Sequence, residues 1–365
     1  MPCSCLLVVG RDSPASPFAP GLRTRFVTSQ VTARPARWRP SVRDGDALAE
    51  EVHVPAAPRP RIGLNLPLSF AGAAPAAIAA WFGDVEAASV DALWTLDQLA
   101  GRMPTPEPIA LLGFAAAHTT RVRLGIAVLV APGRGPIAAA KQLASLDRLT
   151  GGRLVVGVGS GDRRLFPALR LGDWEDRPGA VLDEFLTAVH RLWTGTGVTH
   201  DGPIWPFADV TVTPRPVAPP PLWVGGGSVP ALRRALRLGS GWVAAGRQPT
   251  ARFAELAVRL DEVAEQEGRA RDSFSVAKRV YLLVEPDQAR AHRTIDAWFG
   301  AFYGTPDHGR EATVHGDVAT CAEQLAELAR LGVTDLILHP LDESPRHQAA
   351  VLGELLPAIT AASTG

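Results

Sequence analysis

The chain has 365 residues, 46% hydrophobic and 20% charged, so it can bury a large core and does not stay disordered throughout. Its 37 basic and 37 acidic side chains cancel, which argues against nucleic acid or an anionic membrane as the main partner. Cys3, Cys5 and Cys321 make neither an even disulfide framework nor a metal-ligand spacing, so a reducing, cytoplasmic setting is expected.

Residues 1–60 are rich in Pro, Arg and Ala and lack sustained periodicity. They read as a disordered arm, or as translated upstream sequence ahead of a non-Met start near Val52 or Val54. From Arg61 the pattern becomes regular. RIGLNL (61–66) reads as a strand and 75–88 as a helix. VDALWTL (90–96) is a second strand and 106–120 a helix opened by Pro. RVRLGIAVLV (121–130) is a third strand, and 135–152 a helix closed by Gly-Gly. RLVVGV (153–158) is a fourth strand, and 178–195 is amphipathic at helical spacing. The Pro-rich stretch 196–220 reads as an irregular insertion over one rim. Strands follow at 221–226, 241–246, 275–285 and 334–340. Helices follow at 228–240, 249–267, 287–301, 317–331 and 343–362. No apolar run approaches the roughly 20 residues of a membrane span.

Eight short apolar strands alternating with helices indicate a parallel sheet buried on both faces, and eight such units fit a closed (β/α)8 barrel over 61–365. Chemistry in such a barrel sits where the strands end. That selects Asn65, Asp97, Gln98, Ala127, Val128, Ser160, Gly161, Asp162, Gly225, Gly226, Gly227, Ser228, Ala245, Gly246, Glu285 and His339. The ring is poor in charge. Lys141 is mid-helix and Lys278 lies near the start of its strand, so neither suits a Schiff base. Asp97, Asp162 and His339 lie on three different strands without His-x-His spacing, so no metal site is expected. His118 and His190 fall on helices, and Trp81, Trp94 and Trp193 on helix and mid-strand positions, all read as structural.

What remains is a mouth of bare backbone, glycines and a few polar groups, suited to a planar ligand that brings its own chemistry. In GGRLVVGVGSGD, Gly157, Gly159 and Gly161 remove side chains where a ring could approach. In WVGGGSVPALRRALRLG, three glycines precede a helix with Ser228 at its N-cap and Pro230 in its first turn, which makes an anion site. A flat ligand with a phosphate tail would use both. A Rossmann loop fits less well, because the third glycine is out of register and no acid follows about 20 residues on.

The stretches LGIAVLVAPGRGPIAAAKQLASLDRLTGGRLVVGVGSG and PPPLWVGGGSVPALRRALRLGSGW, in this order and spacing, resemble the bacterial luciferase-like family of flavin- and deazaflavin-dependent oxidoreductases. The resemblance covers about 61–340 and implies a (β/α)8 barrel with FMN or coenzyme F420 at its C-terminal mouth. It implies a bulge, often with a non-prolyl cis peptide, at Ala127-Val128 under the ring. Ser160, Gly161 and Asp162 would line the ring edge, and Gly225–Ser228 would hold the phosphate. Asp97-Gln98 matches a motif that often reads Asp-His. The His acts as a base in some deazaflavin dehydrogenases, so its replacement puts a sugar-phosphate dehydrogenase in doubt. Asp162 stands where some relatives carry a catalytic Glu, and His339 is a second proton-transfer candidate. The expectation is a luciferase-like oxidoreductase using F420, or FMN, for hydride transfer to or from a small organic substrate, as a homodimer. A reduced-FMN monooxygenase and a non-catalytic flavin-binding barrel are the alternatives.

Overall fold

The computed structural model describes residues 59–364 save Ser89, Asp272 and Glu343, and the N-terminal arm lies almost wholly outside them. The apolar runs become strands because each is covered on both faces. β1 (Arg61–Asn65) leads to α1 (Pro75–Ala87), β2 (Ala92–Thr95) to α2 (Pro108–His118), and β3 (Arg123–Val130) to α3 (Pro136–Thr150). β4 (Leu154–Gly159) leads to α4 (Pro178–Thr194) and then to a hairpin, β5 (Val198–His200) and β6 (Phe207–Val210). β7 (Leu222–Gly225) precedes α5 (Val229–Leu238), β8 (Gly241–Ala244) precedes α6 (Thr250–Gln266), and β9 (Ser275–Val284) precedes α7 (Gln288–Tyr303). A single turn, α8 (Gly309–Ala312), and β10 (Thr313–Gly316) come before α9 (Val318–Arg330), β11 (Asp335–Pro340) and α10 (Pro345–Thr364).

β1, β2, β3, β4, β7, β8, β9 and β11 pair in parallel in that order, and β11 pairs back onto β1, with Ile62 opposite Leu336. This closed ring of eight strands with helices between them is a (β/α)8 barrel. Its interior is filled by Trp94 and Trp223, whose rings lie 5.3 Å apart. Small residues face them: a Cβ on Gly63 would sit 2.3 Å from the Trp94 ring, and one on Gly125 2.2 Å from it. Large against small is how a barrel interior reaches crystal-like packing density. Trp81 and Trp193 are buried among the helices, and the Trp193 indole donates to the Ala140 carbonyl at 2.9 Å.

Two parts of the chain differ from the sequence expectation. β10 is an extra parallel strand on the C-terminal half of β9, with Thr313 opposite Tyr281. Four residues directly after a helical turn carry no run long enough to announce a strand. The stretch 196–220 is not irregular throughout: it holds the β5–β6 hairpin, packs along α3 and α4, and sets Trp205 against Phe166 and Leu171 in the loop after β4. The Glu184 carboxylate on α4 accepts from the Trp205 N–H at 2.7 Å, and Arg148 on α3 donates to the Arg215 carbonyl at 2.7 Å. Among the described residues no helix is long and apolar enough to cross a membrane.

Candidate active site

The C-terminal ends of the barrel strands enclose a cavity of about 450 Å3. A hollow of about 490 Å3 lies on the outer flank between α1 and α10, away from the strand ends where barrel chemistry occurs. The strand-end cavity gathers most of the residues selected from the sequence. Asp97 and Gln98 come from the β2 end, and Ala127 and Val128 from β3. Ser160, Gly161 and Asp162 follow β4, and Gly225 and Gly226 follow β7. Gly227 and Ser228 are exposed immediately beyond Gly226. His339 does not line the cavity: its ring is 2% exposed and packs against Tyr281 and Trp298.

The peptide between Ala127 and Val128 is cis, and the β3–β4 register shifts between Ile126 and Leu129. Val128 leans from this bulge across the glycines of two neighbouring strands. A Cβ on Gly159 would lie 2.5 Å from Val128 Cγ2, and one on Gly225 2.8 Å from Val128 Cγ1. One on Gly157 would meet the Ile126 carbonyl at 2.7 Å, and one on Gly161 would meet Val130 Cγ1 at 2.6 Å. The space these glycines leave is therefore filled by β3, by the Val128 and Val130 side chains and the Ile126 carbonyl. Gly157 does not reach the cavity at all. The floor offered to a ligand is Val128 itself, seated in a glycine trough.

Asp97 holds that floor in place. Its carboxylate, 3% exposed, accepts from the Val130 N–H at 2.9 Å and from Arg134 Nη2 at 3.0 Å, and Arg134 also reaches Glu107 at 2.8 Å. Burial pushes its pKa up, against the pull of the Val130 N–H and the guanidinium. Gln98 folds over Gly101, and its buried Oε1 has no hydrogen-bond partner. Asp162 is bound side-on by Arg164, with Nε at 2.9 Å, and that contact holds its pKa below the usual carboxylate range. An exposed, ionised Asp162 accepts hydrogen bonds at neutral pH and does not donate a proton.

The opposite side of the cavity is an anion cradle. Ser228 occupies the N-cap of α5 and Pro230 falls in its first turn, but the Ser228 side chain makes no capping hydrogen bond. Pro230 has no N–H, and the Ala231 N–H donates to the Ser228 carbonyl at 2.9 Å, so in the first turn the Val229 N–H and the Ser228 hydroxyl are left for a ligand. Gly226 packs so close to α5 that a Cβ would meet Ala231 Cβ at 2.5 Å. Beside the turn stands Gln248, 7% exposed, with neither amide atom hydrogen-bonded and its Oε1 3.4 Å from where a Gly227 Cβ would be. A buried amide without partners is costly unless a ligand satisfies it. Lys278 fixes the loop that carries it, donating to the Gln248 carbonyl at 2.8 Å and the Ala245 carbonyl at 3.1 Å. Burial, and then the charge of Arg279, push the Lys278 ammonium down to about 7. An apolar floor joined to an anion cradle with orphaned polar atoms fits a flavin-type cofactor with a phosphate tail.

Sequence reasoning missed Arg279, Arg102, Phe302 and Tyr303, which complete the cavity wall. The available signal was a cationic pair, Lys278-Arg279, inside a strand otherwise buried along its length.

A model of the luciferase-like monooxygenase family matches residues 63–307. The F420-dependent glucose-6-phosphate dehydrogenase of Microbacterium testaceum (strain StLB037) is 30% identical over 197 residues, 53% of this chain and 58% of that one. The chain thus matches less than two thirds of that curated relative. Among solved structures, an F420-dependent secondary alcohol dehydrogenase in complex with an F420-acetone adduct superposes with a TM-score of 0.72 at 17% identity, covering 82% of this chain and 99% of that one. A monooxygenase from Streptomyces bottropensis gives 0.66 at 23% identity, covering 81% and 99%.

Proposed function

From the premise that the chain belongs to the luciferase-like monooxygenase family, we propose that it is an oxidoreductase that holds coenzyme F420, or in second place FMN, across the mouth of its barrel. One observation carries this reading: a single cavity joins the Val128 floor to the Gly225–Gly226 turn that opens α5. The bound cofactor would supply the redox step, hydride transfer for a deazaflavin or oxygen activation for reduced FMN.

The protein's own residues supply grip and orientation. The α5 N-terminus, Ser228 and the Gln248 amide hold the phosphate, and Gly226 lets their loop pack close against Ala231. Ala127 and Val128 support the ring, and Asp97 positions them through the Val130 N–H. Ser160, Gly161 and Asp162 border the ring edge. Gln98 offers a neutral amide oxygen to a bound ligand but cannot take up a proton. Glucose 6-phosphate oxidation, the reaction named for the relatives, is therefore not the activity assigned here. A small organic substrate enters beside Phe302 and Tyr303.

The test is a titration of the purified full chain with F420 and, separately, FMN, read by cofactor fluorescence. F420 is expected to bind about tenfold more tightly or better. Tight FMN binding with none of F420 would move the assignment to FMN. Binding without turnover of any reduced or oxidised partner would make the protein a flavin-binding barrel, and binding of neither would overturn the reading.

A further inference from the structure

The cavity has two carboxylates, and each is taken by its own arginine: Asp97 by Arg134 and Asp162 by Arg164. Two more guanidiniums line the same cavity, Arg279 from β9 and Arg102 after β2, and neither has a carboxylate partner among the described residues. Arg279 is half-buried. One Nη donates to His339 Nδ1 at 2.9 Å, its plane lies over the Tyr281 ring at 5.2 Å, and its buried Nε has no partner. Neither neighbour brings negative charge. Arg247 adds a third cation beside this wall, 4.8 Å over the Tyr303 ring. Arg102 lies against Gly304, with Nε 2.9 Å from where a Cβ would be.

We propose that Arg279, with Arg102 at the rim, binds an oxyanion on the substrate, so that the protein acts on small organic anions. Arginine stays protonated at any working pH and presents several N–H donors in a fixed plane. Held half-buried without a counter-charge, it is a receptor made ready before the ligand arrives. The α5 cradle lies at the β7 end of the cavity and Arg279 on the β9 side, so an anionic substrate and a phosphate-bearing cofactor need not compete for one site. Phe302 and Tyr303, which line the same cavity, are aromatic and suit the apolar body of such a substrate. This inference rests on the cavity being the oxidoreductase site.

Its test uses the cofactor-free full chain and three probes of one shape: hexanoate, hexyl phosphate and hexan-1-ol, followed by calorimetry at low and high ionic strength. Either anion should bind about tenfold or more above the alcohol, and whichever binds better identifies carboxylate or phosphate. Arg279→Gln should remove that preference and leave hexan-1-ol unchanged, Arg279→Lys should restore part of it, and Arg102→Gln should weaken it less. F420 and FMN titrations of the same variants run alongside. Anion binding no better than the alcohol in wild type, or an undiminished preference in both Gln variants, overturns the proposal even where the cofactor binds. Loss of cofactor affinity in Arg279→Gln with the anion preference intact would also overturn it, assigning the guanidinium to the cofactor. Failure of wild type to bind either cofactor would count against the proposed function separately.

Discussion

Replacing Gly159 by Ala tests what the glycines of β4 are for. The added Cβ would lie 2.5 Å from Val128 Cγ2, about 1 Å inside ordinary carbon–carbon contact. Its backbone is not in the left-handed region, so the substitution carries no conformational penalty of its own. Restricting the unfolded chain contributes about 0.4–1 kcal/mol in favour of Ala, whereas overpacking costs about 1–3 kcal/mol. A net loss of about 1–2 kcal/mol is expected in the cofactor-free protein, read as the urea midpoint at constant m. Val128→Ala removes the clashing methyls, so Gly159→Ala in that background should cost less, with a coupling energy of about 1 kcal/mol or more. Had the glycine been kept only to let a ring approach, the cofactor-free variant would be as stable as wild type and the two substitutions would add. That pair of results would refute the packing argument.

Lys278 makes stability depend on pH. Its folded pKa of about 7 lies below the ordinary 10.5, so between those values the unfolded chain carries a proton that the folded one lacks. Stability therefore rises with pH through that window, by roughly 2 kcal/mol from pH 7 to 9. Near pH 10, about midway between the ordinary 9.0 of a thiol and 10.5 of a lysine, the trend should reverse, because burial pushes the Cys321 thiol up to about 12 and the unfolded thiol ionises first. Melting curves of wild type and Lys278→Met across pH 7–9 check this, and parallel curves would count against it. Asp97→Asn should cost about 3 kcal/mol in urea unfolding, the low end for a buried pair because Glu107 still reaches Arg134. Asp162→Asn removes an exposed pair and should change stability by less than about 1 kcal/mol in the same assay. Gly226→Asp should lower cofactor affinity by about tenfold or more, by clash with Ala231 and by charge at the α5 N-terminus. Unchanged affinity in a folded variant would mean that the phosphate lies elsewhere.

The barrel was legible because each strand is a run of apolar residues long enough to be covered twice, and each helix has its own stop, such as Gly151 in the left-handed conformation after α3. The residues around the mouth were legible for the same reason: once the strands are placed, their ends are placed, and Asp97, Val128, Gly161 and Gly226 follow by position. The extra strand β10 escaped notice because four residues carry too little pattern, and the hairpin in 196–220 because its prolines mask short strands.

Direction and partnership belong to the tertiary structure. His339 and Arg279 both stand on strands of the barrel, yet Arg279 lines the cavity and His339 is packed among aromatic rings. A one-dimensional pattern says which residues end a strand but not which side chain a bulge turns across its neighbours. Local periodicity determined the barrel and its glycines. Only contacts between residues some 30 to 100 positions apart decided that Val128 fills the space those glycines leave, and that Asp97 has its charge spent on Arg134 while Arg279 has no carboxylate beside it.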